Sequence, residues 1–300
     1  MKYSIVILIN PINALLWGIR RNQRDVINLY NSLSPLMHIT TGSYMLNFGY
    51  WSDGIRDPYE AQKNLCKITG KIAELESAAN LMDVGSGLSS PAIFWKNLYP
   101  WLDIYCININ RGHLIFANKL KEKYLTRENL KEKNGISLFN STANKLPFNK
   151  ESIDRIIALE SAQHFRPLIE FIKEVRHILK SNGIFVIALP VITNLLSSIQ
   201  TLIRLGLLSF TWASEHYLLN DVLSILKDQK FKIIEIHNIG SSVYNPLSQY
   251  YIENRNQLQN KISSEYGSFL EYILYKSILK MDKLSKNKTI DYVIIKLKKL

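Results

Sequence analysis

Short apolar runs alternate with amphipathic stretches along most of this chain. That rhythm belongs to a parallel sheet layered between helices. Residues 80–84 read as a buried strand, and so do residues 101–108, 135–140 and 184–189. Between them, residues 91–98 and 113–124 carry helical patterns, the latter with Leu114, Ala117, Leu120 and Tyr124 on one face. Leu168, Phe171, Ile172, Val175, Ile178 and Leu179 recur at helical spacing, and Ser181, Asn182 and Gly183 are expected to end that helix. The pattern predicts an α/β fold with a doubly wound sheet, and a ligand crevice at the carboxyl ends of its strands.

The flanks are patterned differently. Residues 22–36 look helical up to Pro35, and residues 58–79 form a further helix. Residues 40–54 are rich in aromatics and glycines and show neither period. Residues 192–210 place Leu195, Leu196, Ile199, Leu202, Ile203, Leu207 and Phe210 at helical spacing, with Arg204 on the polar face. A helix over 218–227, a strand over 231–236, helices within 244–284 and a last strand over 289–297 complete the chain.

Composition narrows the class. A hydrophobic content of 47% excludes a disordered chain. A net charge of +12 points to anionic neighbours, either nucleic acid or an acidic membrane surface, or to a lysine-rich solvated surface. Cys66 and Cys106 stand at no metal-ligand spacing, so no metal site is expected and a reducing, cytoplasmic setting is. Residues 3–19 are apolar but are interrupted by Asn10, Pro11 and Asn13, and the arginines follow the run instead of preceding it. That is short for a membrane span and wrongly ordered for a signal peptide. A helix docked on the domain or resting on a membrane surface is expected there.

The centre of the chain is the turn after the first strand. Asp83 is followed by Gly85, Ser86 and Gly87, then by Ser89 and Ser90 capping a helix that opens at Pro91. Glycines let a backbone approach a ligand, and a helix N-terminus offers free N–H groups. A dinucleotide fold wants a third glycine and a later acidic residue for the ribose, but Ser90 and Asn108 stand there. With its acidic residue before the glycines, the turn resembles motif I of class I S-adenosylmethionine-dependent methyltransferases. Further stretches carry the same resemblance. Residues 46–51, LNFGYW, resemble the LHFGYW segment of small-molecule methyltransferases, a branch holding sugar O-methyltransferases and terpenoid or sterol C-methyltransferases; Asn47 replaces the histidine. Leu146, Pro147, Phe148, Ser152, Asp154, Ala158, Leu159, Glu160, Ser161 and His164 match the family's later motifs, and residues 174–188 and 291–299 resemble its closing passages.

The resemblance implies a Rossmann-like doubly wound sheet with an antiparallel last strand and a helical cap. Residues 1–76 would hold N-terminal helices and a cofactor-covering segment. Residues 77–300 would form the methyltransferase domain, with cap insertions at about 191–217 and 240–288. The implied cofactor is S-adenosyl-L-methionine. Asp83, Gly85, Ser86, Gly87, Asn108, Ile109, Thr142 and Ala143 would hold it, and Tyr30 and Tyr50 are candidate aromatic contacts for the sulfonium. Asn108 and Thr142 stand where the family places carboxylates for the ribose and the adenine amine.

Transfer of an activated methyl group mainly requires alignment of the acceptor and exclusion of water, with a base where the acceptor is a hydroxyl. His164 is the candidate base, or a structural histidine ahead of Pro167; Glu160 would orient substrate, hold a loop or serve as a structural carboxylate. After the strand over 184–189 the chain reads Leu189, Pro190, Val191 and Ile192, where some sugar-modifying relatives carry an acid. With the apolar 192–210 stretch beside it, an apolar small molecule or lipid is the expected acceptor, at oxygen or carbon, with peripheral contact to an anionic membrane through lysines such as Lys276, Lys280, Lys283, Lys286, Lys288, Lys296, Lys298 and Lys299. Two rivals remain. A nucleic-acid methyltransferase would suit the charge, but residues 159–162 read Leu-Glu-Ser-Ala and lack the expected signature. A cofactor-binding partner protein without catalysis would suit the substitutions at Asn47, Asn108 and Thr142.

Overall fold

The computed structural model describes residues 20, 22–52, 54–125, 135–193 and 217–300. The expected apolar segments at 3–19 and 192–210 lie outside the described residues, apart from Ile192 and Thr193. In chain order the main elements are α1 (Gln23–Thr41), α2 (Pro58–Ile72), β1 (Asn80–Val84), α3 (Ser90–Leu98), β2 (Asp103–Asn108), α4 (Arg111–Tyr124) and β3 (Ile136–Asn140). There follow β4 (Ile153–Leu159), α5 (Leu168–Ile178), β5 (Leu179–Ile192), α6 (Leu219–Asp228), β6 (Phe231–Asn238), α7 (Tyr244–Glu253), α8 (Arg255–Tyr266), α9 (Ser268–Lys286) and β7 (Ile290–Lys299).

The strands form one sheet in the order β3-β2-β1-β4-β5-β7-β6. The first five pair in parallel, and β7 runs antiparallel between β5 and β6. Strand residues alternate between two apolar layers, as the two-residue period of a strand requires. Leu81, Ile157, Val186 and Ile294 face a layer with Leu65 of α2 and Trp95 of α3. Met82, Ile156, Ile187 and Ile295 face the other, against Phe171 and Val175 of α5 and Val222 of α6. All of these side chains are almost wholly buried, and each such burial contributes roughly 1.5–3 kcal/mol.

A third, smaller core joins α1 to the C-terminal helices through Leu36, Tyr251, Leu258 and Ile262. There Arg255 donates to both carboxylate oxygens of buried Glu271, at 3.0 and 3.2 Å, and its guanidinium lies 3.7 Å from the Tyr275 ring. Among the described residues no helix is long and apolar enough to cross a membrane.

Three local expectations are corrected. α1 does not stop at Pro35 but runs to Thr41 and ends on Gly42 in the left-handed region, because Leu36 and the turn beyond are packed on the cap. Ser89 makes no side-chain cap at α3; its Oγ donates to Ser86 Oγ, and Ser90 Oγ donates to the Tyr44 carbonyl. The helix predicted to end at residues 181–183 ends at Ile178, and β5 begins at Leu179.

Candidate active site

The parallel strands deliver their carboxyl ends to one edge, and a cavity of about 360 Å³ lies along it. Asp83 stands at the tip of β1, and the chain then turns through Gly85 (φ +77°) and Gly87 (φ +55°). A Cβ on Gly85 would fall 2.3 Å from Ser161 Cβ, so the turn is closed against the loop after β4. The Gly85 and Ser86 N–H groups donate to the Ile107 carbonyl, which ties this turn to β2. Asp83 is 2% exposed and its Oδ2 has no hydrogen-bond partner. Burial pushes its carboxyl up to about 7. Asp83 lines the cavity, and a carboxyl group there fits the ammonium at the amino-acid end of S-adenosylmethionine.

Asn108, at the end of β2, has both ends of its amide engaged. Its Nδ2 donates to the Gly87 carbonyl at 2.7 Å, and its Oδ1 accepts from the Asn110 N–H at 2.9 Å. Ile109 lines the cavity beside it, and Thr142 and Ala143 enter from the loop after β3. Ser86, Tyr30, Glu160 and His164 line the same cavity.

Beside it lies a second cavity of about 180 Å³, largely apolar. Leu33, Leu36 and Met37 of α1 form one side, and Leu247, Leu274 and Met281 of the C-terminal helices another. Pro190 of β5 also reaches it. Tyr30, Leu46, Asn47, Glu160 and His164 line both cavities and so form their common wall.

The polar groups of this wall are interlocked. The Tyr30 hydroxyl lies 2.8 Å from His164 Nε2, with the two rings edge to face. His164 Nδ1 is buried without a partner, and burial lowers the imidazole to about 4, so the ring is neutral near pH 7. Glu160 Oε1 accepts from the Phe48 N–H at 2.9 Å. Burial pushes Glu160 up to about 8 against the opposing pull of that hydrogen bond. Gln163 donates from Nε2 to the Glu160 carbonyl while its Oε1 is left buried and unpaired. Nothing in the sequence pattern marks Gln163, apart from its place next to His164.

Of the residues expected from sequence, all gather around the first cavity except Tyr50, which lines neither. Gly49 turns the chain at φ +83° and presses on Ala61, so Tyr50 is drawn to α2, where its N–H donates to the Ala61 carbonyl. The aromatic that this segment does give to the cavity is Tyr44, stacked on His38 at 4.2 Å.

The chain is similar to known proteins in sequence and in fold. Residues 82–187 match the methyltransferase domain family. Over that stretch the chain resembles a methyltransferase domain. It is 30% identical over 148 residues to erythromycin 3''-O-methyltransferase of Saccharopolyspora erythraea, a match spanning 49% of this chain and 46% of that protein. The chain thus spans about half the length of that relative. Among solved structures, the [4+2]-cyclase SpnF superposes with a TM-score of 0.74 at 19% identity, covering 92% of this chain and 96% of that one. Geranyl diphosphate C-methyltransferase from Streptomyces coelicolor A3(2), in complex with Mg2+, geranyl diphosphate and S-adenosyl-L-homocysteine, superposes at 0.71 with 12% identity, covering 93% and 97%. These two likenesses concern the fold alone. S-adenosylmethionine is the cofactor of this domain class.

Proposed function

We propose that this chain transfers a methyl group from S-adenosylmethionine to an apolar small molecule or lipid. The observation that carries this reading is the common wall, where Tyr30, Glu160 and His164 stand between the strand-tip cavity that holds Asp83 and a second, more apolar chamber. The cofactor supplies an activated methyl group on a sulfonium. Asp83, the turn from Gly85 to Gly87, Asn108, Ile109, Thr142 and Ala143 hold it, with Asp83 facing its ammonium. The apolar chamber excludes water and seats the acceptor. For a hydroxyl acceptor, the neutral His164 takes up the released proton. Protonated at neutral pH, Glu160 holds the aromatic segment through Phe48 and is not the base.

A calorimetric titration with S-adenosylmethionine and S-adenosylhomocysteine tests the cofactor site. Micromolar binding that disappears in Asp83→Ala supports it, whereas a folded wild-type chain that binds neither overturns it. A second reading, cofactor binding without transfer, is favoured by one feature: both ends of the Asn108 amide are engaged within the protein. Transfer of a labelled methyl group to any member of an apolar alcohol and isoprenoid panel excludes it.

The proposal includes peripheral contact with an anionic membrane. α9 exposes Phe269 at 70% and Tyr272 at 51%, and carries Lys276, Lys280, Lys283 and Lys286. Sedimentation with anionic vesicles but not with neutral ones is expected. Equal binding to both, or to neither, counts against this part.

A further inference from the structure

The two cavities differ in the charges that reach them. Arg20 and Arg166 line the strand-tip cavity. Among the described residues, no lysine or arginine lines the second chamber. The acid and the imidazole of the common wall add no charge near pH 7, because burial pushes Glu160 up to about 8 and lowers His164 to about 4.

Hydroxyl donors along the chamber are already engaged. Thr40 Oγ1 donates to the Leu36 and Met37 carbonyls, at 3.1 and 3.0 Å, and Thr41 Oγ1 donates to the Met37 carbonyl at 2.8 Å. Ser277 Oγ donates to the Ile273 carbonyl at 2.9 Å, and the Tyr251 hydroxyl donates to Glu271 Oε1 at 3.3 Å. Such hydroxyls can still accept a hydrogen bond, but an anion needs donors. Apart from these and Tyr250, the polar side chains of the lining gather at one end. Tyr30, Asn47, Glu160 and His164 belong to the common wall, and Gln163 Nε2 lies 3.5 Å from His164 Nε2. The chamber is thus polar where it meets the first cavity and largely apolar elsewhere.

An ionised group moved into such a chamber loses its water and meets no opposite charge in return. An uncharged hydroxyl loses far less, and at the common wall it finds polar groups and a neutral imidazole. Resting on the methyl-transfer reading above, we infer that the acceptor is an uncharged alcohol or phenol with an apolar body, seated hydroxyl-first against the common wall and methylated on oxygen, and that its phosphorylated counterparts are rejected. In that step the acceptor oxygen bonds to the methyl carbon as the carbon–sulfur bond breaks. The electron pair of the broken bond stays on sulfur, and the hydroxyl proton passes to the His164 imidazole.

The test is calorimetry on the full chain saturated with S-adenosylhomocysteine, using matched pairs: geraniol against geranyl diphosphate, with and without Mg2+, and naphthol against naphthyl phosphate. The alcohols are expected to bind about a hundredfold more tightly than their phosphates, or better. Met37→Trp and Met281→Trp should each weaken alcohol binding more than about tenfold if the alcohols sit in the chamber. Two variants, with thermal melts, guard against one failing to fold. Labelled methyl transfer from S-adenosylmethionine to a bound alcohol should yield the methyl ether. Equal or tighter binding of the phosphates overturns the inference, as do alcohol binding unchanged in the folded variants, label found on carbon, and alcohols that fail to bind a chain that holds S-adenosylhomocysteine. Alcohol binding without any transfer would remove the methyl-transfer reading while the preference for uncharged ligands stands. A folded chain that binds no S-adenosylhomocysteine would remove the cofactor reading itself.

Discussion

Tyr30 and His164 are 134 residues apart in sequence, yet the phenol oxygen and Nε2 lie 2.8 Å apart in the wall between the two cavities. Burial and the nearby Glu160 charge both raise the Tyr30 pKa, so the phenol keeps its proton across the physiological range. The contact therefore pairs a protonated hydroxyl with a neutral imidazole, and it sets the direction of the ring that the proposed chemistry uses.

Replacing Tyr30 by Phe tests that pairing. The ring contact, with centroids 5.2 Å apart, survives in the variant, so the change reports on the hydroxyl alone. The expected outcome is a fall in kcat of about tenfold, with the S-adenosylhomocysteine Kd changed less than about threefold, as fits loss of one hydrogen bond at the acceptor side. Labelled methyl transfer and calorimetry measure the two quantities. An unchanged kcat would mean that His164 is held by its packing.

The buried ionisable groups predict a pH dependence. Asp83 and Glu160 titrate near 7 and 8 in the folded chain, against 3.8 and 4.5 when unperturbed. His113 and His164 titrate near 4, against 6.5. Between the unperturbed and raised carboxyl values the folded chain holds protons that the unfolded chain has lost, so these two groups favour folding less as pH rises. The histidines act oppositely between about 4 and 6.5 and offset the carboxyls there. From about pH 6.5 to 8 only the carboxyl contribution is left, and stability should fall. Urea midpoints across that range measure it, and Asp83→Asn with Glu160→Gln should flatten the profile. Cofactor binding should show the reverse trend. An ammonium facing Asp83 favours the carboxylate, so binding at pH 6 releases a proton and tightens toward pH 8. Calorimetry in buffers of differing ionisation enthalpy would count that proton.

The alternation of apolar and polar positions was enough to reveal the sheet, because each parallel strand is buried on both faces and reads as a continuous apolar run. The turn at Asp83 to Gly87 was legible for a related reason: its glycines are required by backbone conformation and by the closeness of Ser161. Tyr50 lies on α2 and not on the cavity because the left-handed turn at Gly49 redirects the chain, and φ at a glycine is not written in residue type. Pro35 looked like a helix end because local preference was read without the tertiary contacts that carry α1 onward. The apolar character of residues 189–192 points to an apolar acceptor, and Pro190 does reach the chamber, but its other described walls come largely from α1 and α7–α9. Residues so distant in sequence meet only through packing, as do Tyr30 and His164.

The two glycines of the turn should differ in tolerance. A Cβ on Gly85 meets Ser161, whose Oγ is fixed by donating to the Val84 carbonyl at 2.6 Å. A Cβ on Gly87 meets the end of the Leu46 side chain at 3.1 Å, which can rotate away. Gly87→Ala should cost about 1–2 kcal/mol from its left-handed backbone alone. Gly85→Ala adds overpacking of about 1–3 kcal/mol to the same backbone cost. Denaturant unfolding of the two variants should place Gly85→Ala clearly below Gly87→Ala; equal losses would mean that the Ser161 loop yields.

The two cavities divide α1 between them. Gln23, Val26 and Ile27 face the first, Leu29, Leu33, Leu36, Met37 and Thr40 face the second, and Tyr30 faces both. A substitution on one side should therefore separate the two binding events. Met37→Trp introduces an indole into a chamber of about 180 Å³ without touching the strand tips. If that chamber seats the acceptor, kcat/KM for the acceptor should fall more than about tenfold while S-adenosylhomocysteine affinity stays within about twofold, since lost acceptor volume does not alter the cofactor's own contacts. Loss of both would show that the bulky residue displaces α1 as a whole, and the measured Tm would fall with it. Loss of cofactor binding alone would reverse the assignment of the two cavities, because the chamber lined by Leu33, Met37 and Met281 would then be the one that S-adenosylmethionine requires.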